Sequence, residues 1–362
     1  MDIKEQLNQY QADLPITLAS TPPSSWYTDS RFYQLEQNSV FKYNWLIAGR
    51  VDQLKNIGDY LATTIANQPV LLVNDGEIRA FYNVCQHHAA QIKENGVGCS
   101  KTLTCPYHGW TYQLNGQLKS APLFGSAENF SIENIHLKPI KVAIYKHWVF
   151  ICFSPIAADF LPFIGALADQ IEQLHIDQVE FYHRSSYQLD CNWKVYIDNY
   201  LDGGYHVPFL HKGLNSALDG KHYQVETQDR YCLQSCPTKA RDNEFSKVRT
   251  GMARYYWQYP NLMLNAYQGI LGLMIVQPLG PSKCEVIFEY YFDQSIDQEY
   301  KQHSVRIADT IQDEDRNVCE SVQRGLMSDG YDVGRLSPAK ELGEQLFHQL
   351  LHADFKAYVD KR

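Results

Sequence analysis

Two short stretches decide how this chain is read: Cys85-Gln86-His87 and, after residues 88–104, Cys105-Pro106-Tyr107-His108-Gly109-Trp110. Written as spacing, this is C-x-H, seventeen residues, then C-x2-H. In an extended chain Cys85 and His87 point to the same side, as residues i and i+2 do. Cys105 and His108 converge only through a turn, for which Pro106 and Gly109 supply the chemistry. Each loop then presents one thiolate and one imidazole. A tetrahedral zinc site is open by residue type, but zinc usually takes C-x2-4-C followed by H-x3-5-H. One Cys and one His per loop suits a [2Fe–2S] cluster better, with two cysteines on one iron and two histidines on the other. Four unrelated residues is the remaining alternative.

The surroundings of these loops are β in texture. Residues 70–73 and 78–84 flank Asn74-Asp75-Gly76-Glu77, and residues 111–114 precede Asn115-Gly116. Asp-Gly and Asn-Gly between β-prone runs are hairpin signals, so a small antiparallel β domain is expected over residues 40–155. Residues 1–39, with the turn-like Thr21-Pro22-Pro23-Ser24-Ser25, read as an arm or a first helix plus connector. Beyond Pro155 the pattern predicts a helix over 161–176. Strands are predicted over 181–189, 252–267, 270–278 and 284–292, and helices over 294–327 and 339–359. Strands flanked by helices make residues 156–362 an α+β domain.

Composition narrows the partners. The 362 residues are 44% hydrophobic and 20% charged, enough to bury a core. With 41 acidic against 32 basic residues the formal charge is -9, which argues against nucleic acid or an anionic membrane surface as the main partner. No apolar run approaches the ~18 residues of a membrane span. The segment from Met1 to Tyr10 lacks the basic and apolar regions of a signal peptide. Nine cysteines, an odd number, fit a reducing, cytoplasmic compartment better than a disulfide framework. The seven outside the two loops are expected to be small core residues.

A second constellation lies in residues 192–211, where Asp198, Asp202, His206 and His211 are concentrated. On a helix Asp198, Asp202 and His206 fall at i, i+4 and i+8, one face. Pro208 pushes Val207 out of the α region. A helix ending there lets His211 swing back beside His206. Two histidines and one carboxylate with open positions form the facial triad of non-haem Fe(II) oxygen chemistry. The third ligand must come from elsewhere, and the acidic run Asp313-Glu314-Asp315 is the candidate, although an acidic helix face is usually only a solvated one.

Cys85-x-His87 with Cys105-Pro-Tyr-His108-Gly-Trp resembles the Rieske domain of non-haem iron oxygenases, the ring-hydroxylating alpha-subunit family. The resemblance extends over nearly the whole chain. The acidic run followed by Glu320 and Gln323-Arg324-Gly325-Leu326 is similar to that family's C-terminal ligand helix. It implies Asp315 as third iron ligand, with Glu314 as fallback. The run from Asp198 through Pro208, with His211-Lys212-Gly213-Leu214, is most similar to the choline monooxygenase branch, as are the segments from Tyr259 to Asn265 and from Gln277 to Pro281.

Two departures are visible. His88 stands where the family usually has Arg, and Gly203 stands where many members carry a bridging carboxylate three residues before the first histidine. The resemblance implies that Asp202 takes the bridging role, with Asp198 as alternative, and that Asn199 belongs with Asp202 to the catalytic set.

The implied fold is α+β, a small antiparallel β domain carrying the cluster plus a helix-grip-like catalytic domain holding mononuclear Fe(II). The implied activity is that of a terminal oxygenase taking O2 and electrons from a separate reductase or ferredoxin. Assembly as a head-to-tail homotrimer follows, because in this family the cluster serving an iron comes from the adjacent subunit. No G-x-G-x-x-G follows a predicted strand, so no flavin or nicotinamide site is expected in the chain. Aromatics make up 13% of the sequence and cluster at Tyr255-Tyr256-Trp257, Tyr259 and Tyr267. Such walls hold a quaternary ammonium by cation–π attraction. The resemblance to the choline monooxygenase branch implies choline or a related compound as the expected substrate. A small aromatic or other apolar substrate is the alternative, and an electron carrier without catalysis the third reading.

Overall fold

The computed structural model describes residues 2–240 and 242–361. Its contacts divide the chain into two units, Phe41–Phe160 and a second built from residues up to Val40 together with those from Leu161 onward.

The first unit is antiparallel β. Seven strands run in the order Leu46–Arg50, Trp148–Cys152, Pro139–Tyr145, Ile78–Tyr82, Gln68–Asn74, Asp59–Ile65 and Gly96–Cys99. A three-stranded sheet, Leu103–Thr104, Thr111–Tyr112 and Leu118–Ser120, carries the second cysteine loop. Both expected hairpins form: Gln68–Asn74 pairs with Ile78–Tyr82 across Asp75-Gly76, and Thr111–Tyr112 pairs with Leu118–Ser120 across Asn115-Gly116. Gly76 and Gly116 take φ of +114° and +87°, the conformation that glycine adopts without steric cost. At Gly116 a Cβ would also lie 2.6 Å from the Phe81 ring. The core contains Leu71, Val73, Phe81, Leu103, Trp110, Tyr112 and Leu118, and Cys85 and Cys105 belong to it.

The second unit is a helix-on-sheet layer. Its seven antiparallel strands follow the order Val179–Leu189, Lys283–Asp293, Ile270–Gly280, Leu262–Tyr267, Met252–Gln258, Tyr231–Pro237 and Gln224–Gln228. The strand expected over 252–267 is two strands, separated at Tyr259–Asn261. The last two strands of the order were not anticipated: Gln224–Gln228 is mostly exposed and lacks a clean apolar alternation. Helices Trp193–Leu201, Gln298–Leu326 and Leu342–Val359 pack over this scaffold. No helix of the described residues is long and apolar enough to cross a membrane.

Residues before Val40 are helical at Ile3–Gln9, Ser25–Thr28 and Ser30–Asn38. They are tied to the rest of that unit by a fully buried ion pair between Glu36 and Lys194. Trp193 Nε1 adds a 2.8 Å bond to the same carboxylate. Six of the seven cysteines outside the ligand loops are buried, as expected of small core residues. Cys99 is not. It ends the outermost strand of its sheet, where one edge has no neighbour, and is exposed.

Candidate metal centres

The two cysteine loops of the first unit are built alike. In one, the Ala89 amide donates to the Cys85 carbonyl at 3.0 Å; in the other, the Gly109 amide donates to the Cys105 carbonyl at 3.1 Å. Ala89 and Gly109 both adopt left-handed φ, +60° and +71°, which turns each loop back on itself. Cys85 and Cys105 lie 2% exposed at the base of their loops, while His87 is half-buried and His108 exposed at the rim. The two imidazoles stand 4.7 Å apart between centroids, and His87 stacks on Trp110 at 4.6 Å and 5°. Burial pushes the Cys85 thiol above its ordinary pKa, and burial followed by the neighbouring His88 and His108 pulls His87 below its own. A metal displaces the thiol proton and requires the neutral imidazole. The His87 Nδ1 atom is buried without any hydrogen-bond partner, as a metal-bound nitrogen is left. Two thiols and two imidazoles converging in this way fit a [2Fe–2S] cluster.

In the second unit the helix Trp193–Leu201 starts at Asn192, whose side chain accepts from the Lys194 amide at 3.1 Å. It does not run on to Pro208 as expected. Gly203 and Gly204, at φ of +67° and +68°, end it at Leu201. A Cβ on Gly203 would lie 2.1 Å from the Lys340 carbonyl oxygen, so the turn admits no side chain. Pro208 instead falls in the first turn of a short helix, Val207–Leu210, where its missing N–H costs nothing. Asp202, at the end of the long helix, receives the amides of Tyr205 and His206 at 3.1 and 2.9 Å and His206 Nδ1 at 2.6 Å. The expected neighbours Asp202 and His206 therefore meet through a turn rather than along a helix face.

His211 is held in the same manner by a different carboxylate. Its Nδ1 bonds Glu314 at 2.6 Å, and its Nε2 lies 3.0 Å from Asp315 Oδ1. Both acids come from the helix Gln298–Leu326, whose buried face includes Gln312, Asp315, Cys319 and Gln323, while Asp313 points outward to pair with Arg316 at 2.6 Å. His206, His211 and Asp315 each offer a ligand atom within 4.8 Å of the others, and the two imidazole centroids are 4.8 Å apart. Asn199 Nδ2 donates to Asp315 Oδ1 at 2.8 Å, which makes it a positioning residue for that carboxylate. Burial disfavours a charged His211, but Asp315 and Glu314 outweigh it and raise its pKa. A cation fits where that proton is favoured.

Asp198 turns elsewhere. It accepts from Tyr27 at 2.7 Å, lies 3.0 Å from His348 Nε2, and with His348 and Glu344 forms a second group of close ligand atoms.

A cavity of about 90 Å³ opens beside His206, His211 and Asp315. Of the aromatics singled out from the sequence, Tyr255 lines it, while Tyr256, Trp257 and Tyr259 are buried in the core. Tyr200 and Tyr223 line it too and were not anticipated. Tyr200 Oη donates to Asn265 at 2.8 Å and Tyr223 Oη to Gln234 at 3.0 Å. Tyr200 sits in the same ligand segment, and its i−2 relation to Asp202 was the one available signal.

Family models match both stretches of the chain that carry these residues. The Rieske [2Fe-2S] domain model matches residues 44–134, and the catalytic-domain model of the ring hydroxylating alpha subunit matches residues 176–354. A chloroplastic choline monooxygenase of Arabidopsis thaliana is 38% identical over 98% of this chain and 87% of its own length. The carnitine monooxygenase oxygenase subunit of Escherichia coli K12 is 30% identical over 93% of this chain and 94% of its own. A solved quaternary ammonium Rieske monooxygenase, described with carnitine oxidation by gut microbiota and inter-subunit electron transfer, superposes with TM-score 0.85 at 26% identity. That match covers 93% of this chain and 96% of the solved one.

Proposed function

This chain belongs to the ring-hydroxylating alpha-subunit family and is a Rieske-type oxygenase, and we propose that it hydroxylates choline or a related quaternary ammonium compound. The observation that carries the substrate reading is the cavity itself. Beside the two histidines it sets Tyr200, Tyr223 and Tyr255, aromatic walls suited to a trimethylammonium group. The relatives named for choline and carnitine support it.

In this reading residues 40–155 are the Rieske domain, 156–362 the catalytic domain, and 1–39 an arm fixed to it through Glu36. Cys85, Cys105, His87 and His108 hold the cluster, and His206, His211 and Asp315 hold Fe(II). Bound there, the cluster supplies single electrons and the iron the site for O2 activation. Asp202 fixes the His206 ring so that Nε2 faces the cavity, and Glu314 does the same for His211. Asn199 holds the Asp315 oxygen in place. The tyrosines orient the substrate and exclude water. The balanced reaction takes substrate, O2, two electrons and two protons to hydroxylated product and water. At a carbinol carbon the product is a gem-diol that loses water to the aldehyde. At an N-methyl carbon it releases formaldehyde and the demethylated amine.

Electrons come from a separate reductase or ferredoxin, and the assembly is a head-to-tail homotrimer in which Asp202 bridges His206 to a neighbouring subunit's Rieske histidine. The unpaired cysteines fit a reducing, cytoplasmic setting. Product analysis with a surrogate reductase over quaternary amines and aromatics tests the proposal. Hydroxylated or demethylated amine is expected, and product from aromatics alone would overturn it.

A further inference from the structure

A second chamber lies next to the cavity beside His206 and His211. Leu214, Tyr255, Asn265, Ile311 and Gln312 wall both spaces, and the second measures about 80 Å³. Arg249 lines it and is 6% exposed. Its Nη1 donates to the Val248 carbonyl at 3.1 Å and to Ser304 Oγ at 2.8 Å, and its Nη2 to the Ser304 carbonyl at 3.5 Å. The guanidinium carbon lies 4.9 Å from the centroid of the Tyr267 ring. All these partners are neutral, and no carboxylate among the described residues pairs with Arg249. A guanidinium does not lose its proton in a protein, and a buried charge is normally paired. On the same wall the Tyr290 hydroxyl is buried with no hydrogen-bond partner.

We infer that this chamber binds a carboxylate carried by the substrate, with Arg249 as its counter-ion. The substrate class is then a zwitterionic, carboxylate-bearing quaternary ammonium compound rather than choline itself. This rests on the quaternary-ammonium reading above and sharpens it. The two chambers differ in chemistry, with the Tyr200 and Tyr223 rings at the histidine end and Arg249 in the other. A dipolar substrate satisfies both. A bare cation leaves Arg249 unpaired and meets like charge as it enters. The planar fork of Arg249 matches a carboxylate in a way a single ammonium does not. Arg249 also ties the end of the helix Glu244–Val248 to the ligand helix at Ser304, so the test has to separate recognition from scaffolding.

The holoenzyme with a surrogate reductase is given γ-butyrobetaine and its carboxamide, which differ in charge only at the end remote from the trimethylammonium group. In the unmodified enzyme the acid is expected to have a KM about tenfold or more below that of the amide. Arg249→Gln should raise the KM for the acid by about the same factor while leaving kcat and the KM for the amide nearly unchanged. Calorimetric titration of the resting enzyme with both compounds should show the same split, and Arg249→Lys should restore part of it. Equal KM values in the unmodified enzyme, or an Arg249→Gln loss that is the same for acid and amide, would overturn the inference. Oxidation of choline without discrimination between acid and amide sinks this inference alone. No oxygen uptake with any of the three sinks the quaternary-ammonium reading and this one with it.

Discussion

Asp202 and Glu314 grip the two candidate ligand histidines through the same ring nitrogen, each at 2.6 Å, yet their surroundings give them different work. Asp202 also closes the turn that carries His206, by receiving two backbone amides, and lines the cavity beside it. Glu314 touches only His211 among these groups and is partly exposed on the ligand helix. An amide at position 202 can still accept from the ring N–H but brings no charge to receive a partner's imidazole. Asp202→Asn is therefore expected to keep its iron while losing about 10–100-fold in turnover. Glu314→Gln weakens only the orientation of His211, so the loss should appear in iron affinity, with turnover per bound iron largely preserved. Metal analysis alongside substrate-dependent oxygen uptake separates the two, and an Asp202→Asn enzyme turning over normally per iron would remove the bridging role.

At the scale of elements, the site depends on where one helix stops. Gly203 takes φ of +67° with the Lys340 carbonyl against its Cα, so Gly203→Ala combines left-handed strain with a backbone clash. A cost on the order of 2–5 kcal/mol follows. The apparent melting temperature of the catalytic unit and its iron content should fall together, because the same turn carries Asp202 and His206. Gly220→Ala, where nothing lies within 4 Å of the new methyl, is the control and should change neither. This stop is also where the sequence was hardest to read. The spacing of Asp198, Asp202 and His206 suited a helix, and Pro208 looked like its end, because sequence pattern does not reveal a left-handed glycine pair packed against a distant carbonyl. The hairpins at Asp75-Gly76 and Asn115-Gly116 were legible because their turn chemistry is local. The cavity tyrosines Tyr200 and Tyr223 were not, since their role depends on Asn265 and Gln234, which reach them only through the folded sheet.

At the scale of the molecule, two centres on two units pose a question that neither unit answers alone. The candidate ligands could be named because metal chemistry restricts them to few residue types at fixed spacing, and the third candidate, a carboxylate more than a hundred residues from His206, could be named only through family resemblance. Which cluster feeds which iron is a property of assembly. In the head-to-tail trimer proposed above, the cluster of one subunit serves the iron of the next. His108→Ala removes one cluster ligand at an exposed rim position, and His206→Ala removes one iron ligand, so each variant alone should be inactive. Co-assembled at equal amounts, a productive junction needs an intact cluster from the His206→Ala chain beside an intact iron site from the His108→Ala chain. Random mixing in a closed heterologous ring makes about a quarter of junctions productive. Purification through two different tags discards the rings made of one chain alone and leaves mixed trimers with one productive junction in three, so oxygen uptake and product formation at about a third of the unmodified rate are expected after co-expression. Activity absent from a mixture shown by mass to contain both chains would mean that each iron is served by the cluster of its own chain, and the bridging role of Asp202 between subunits would go with it.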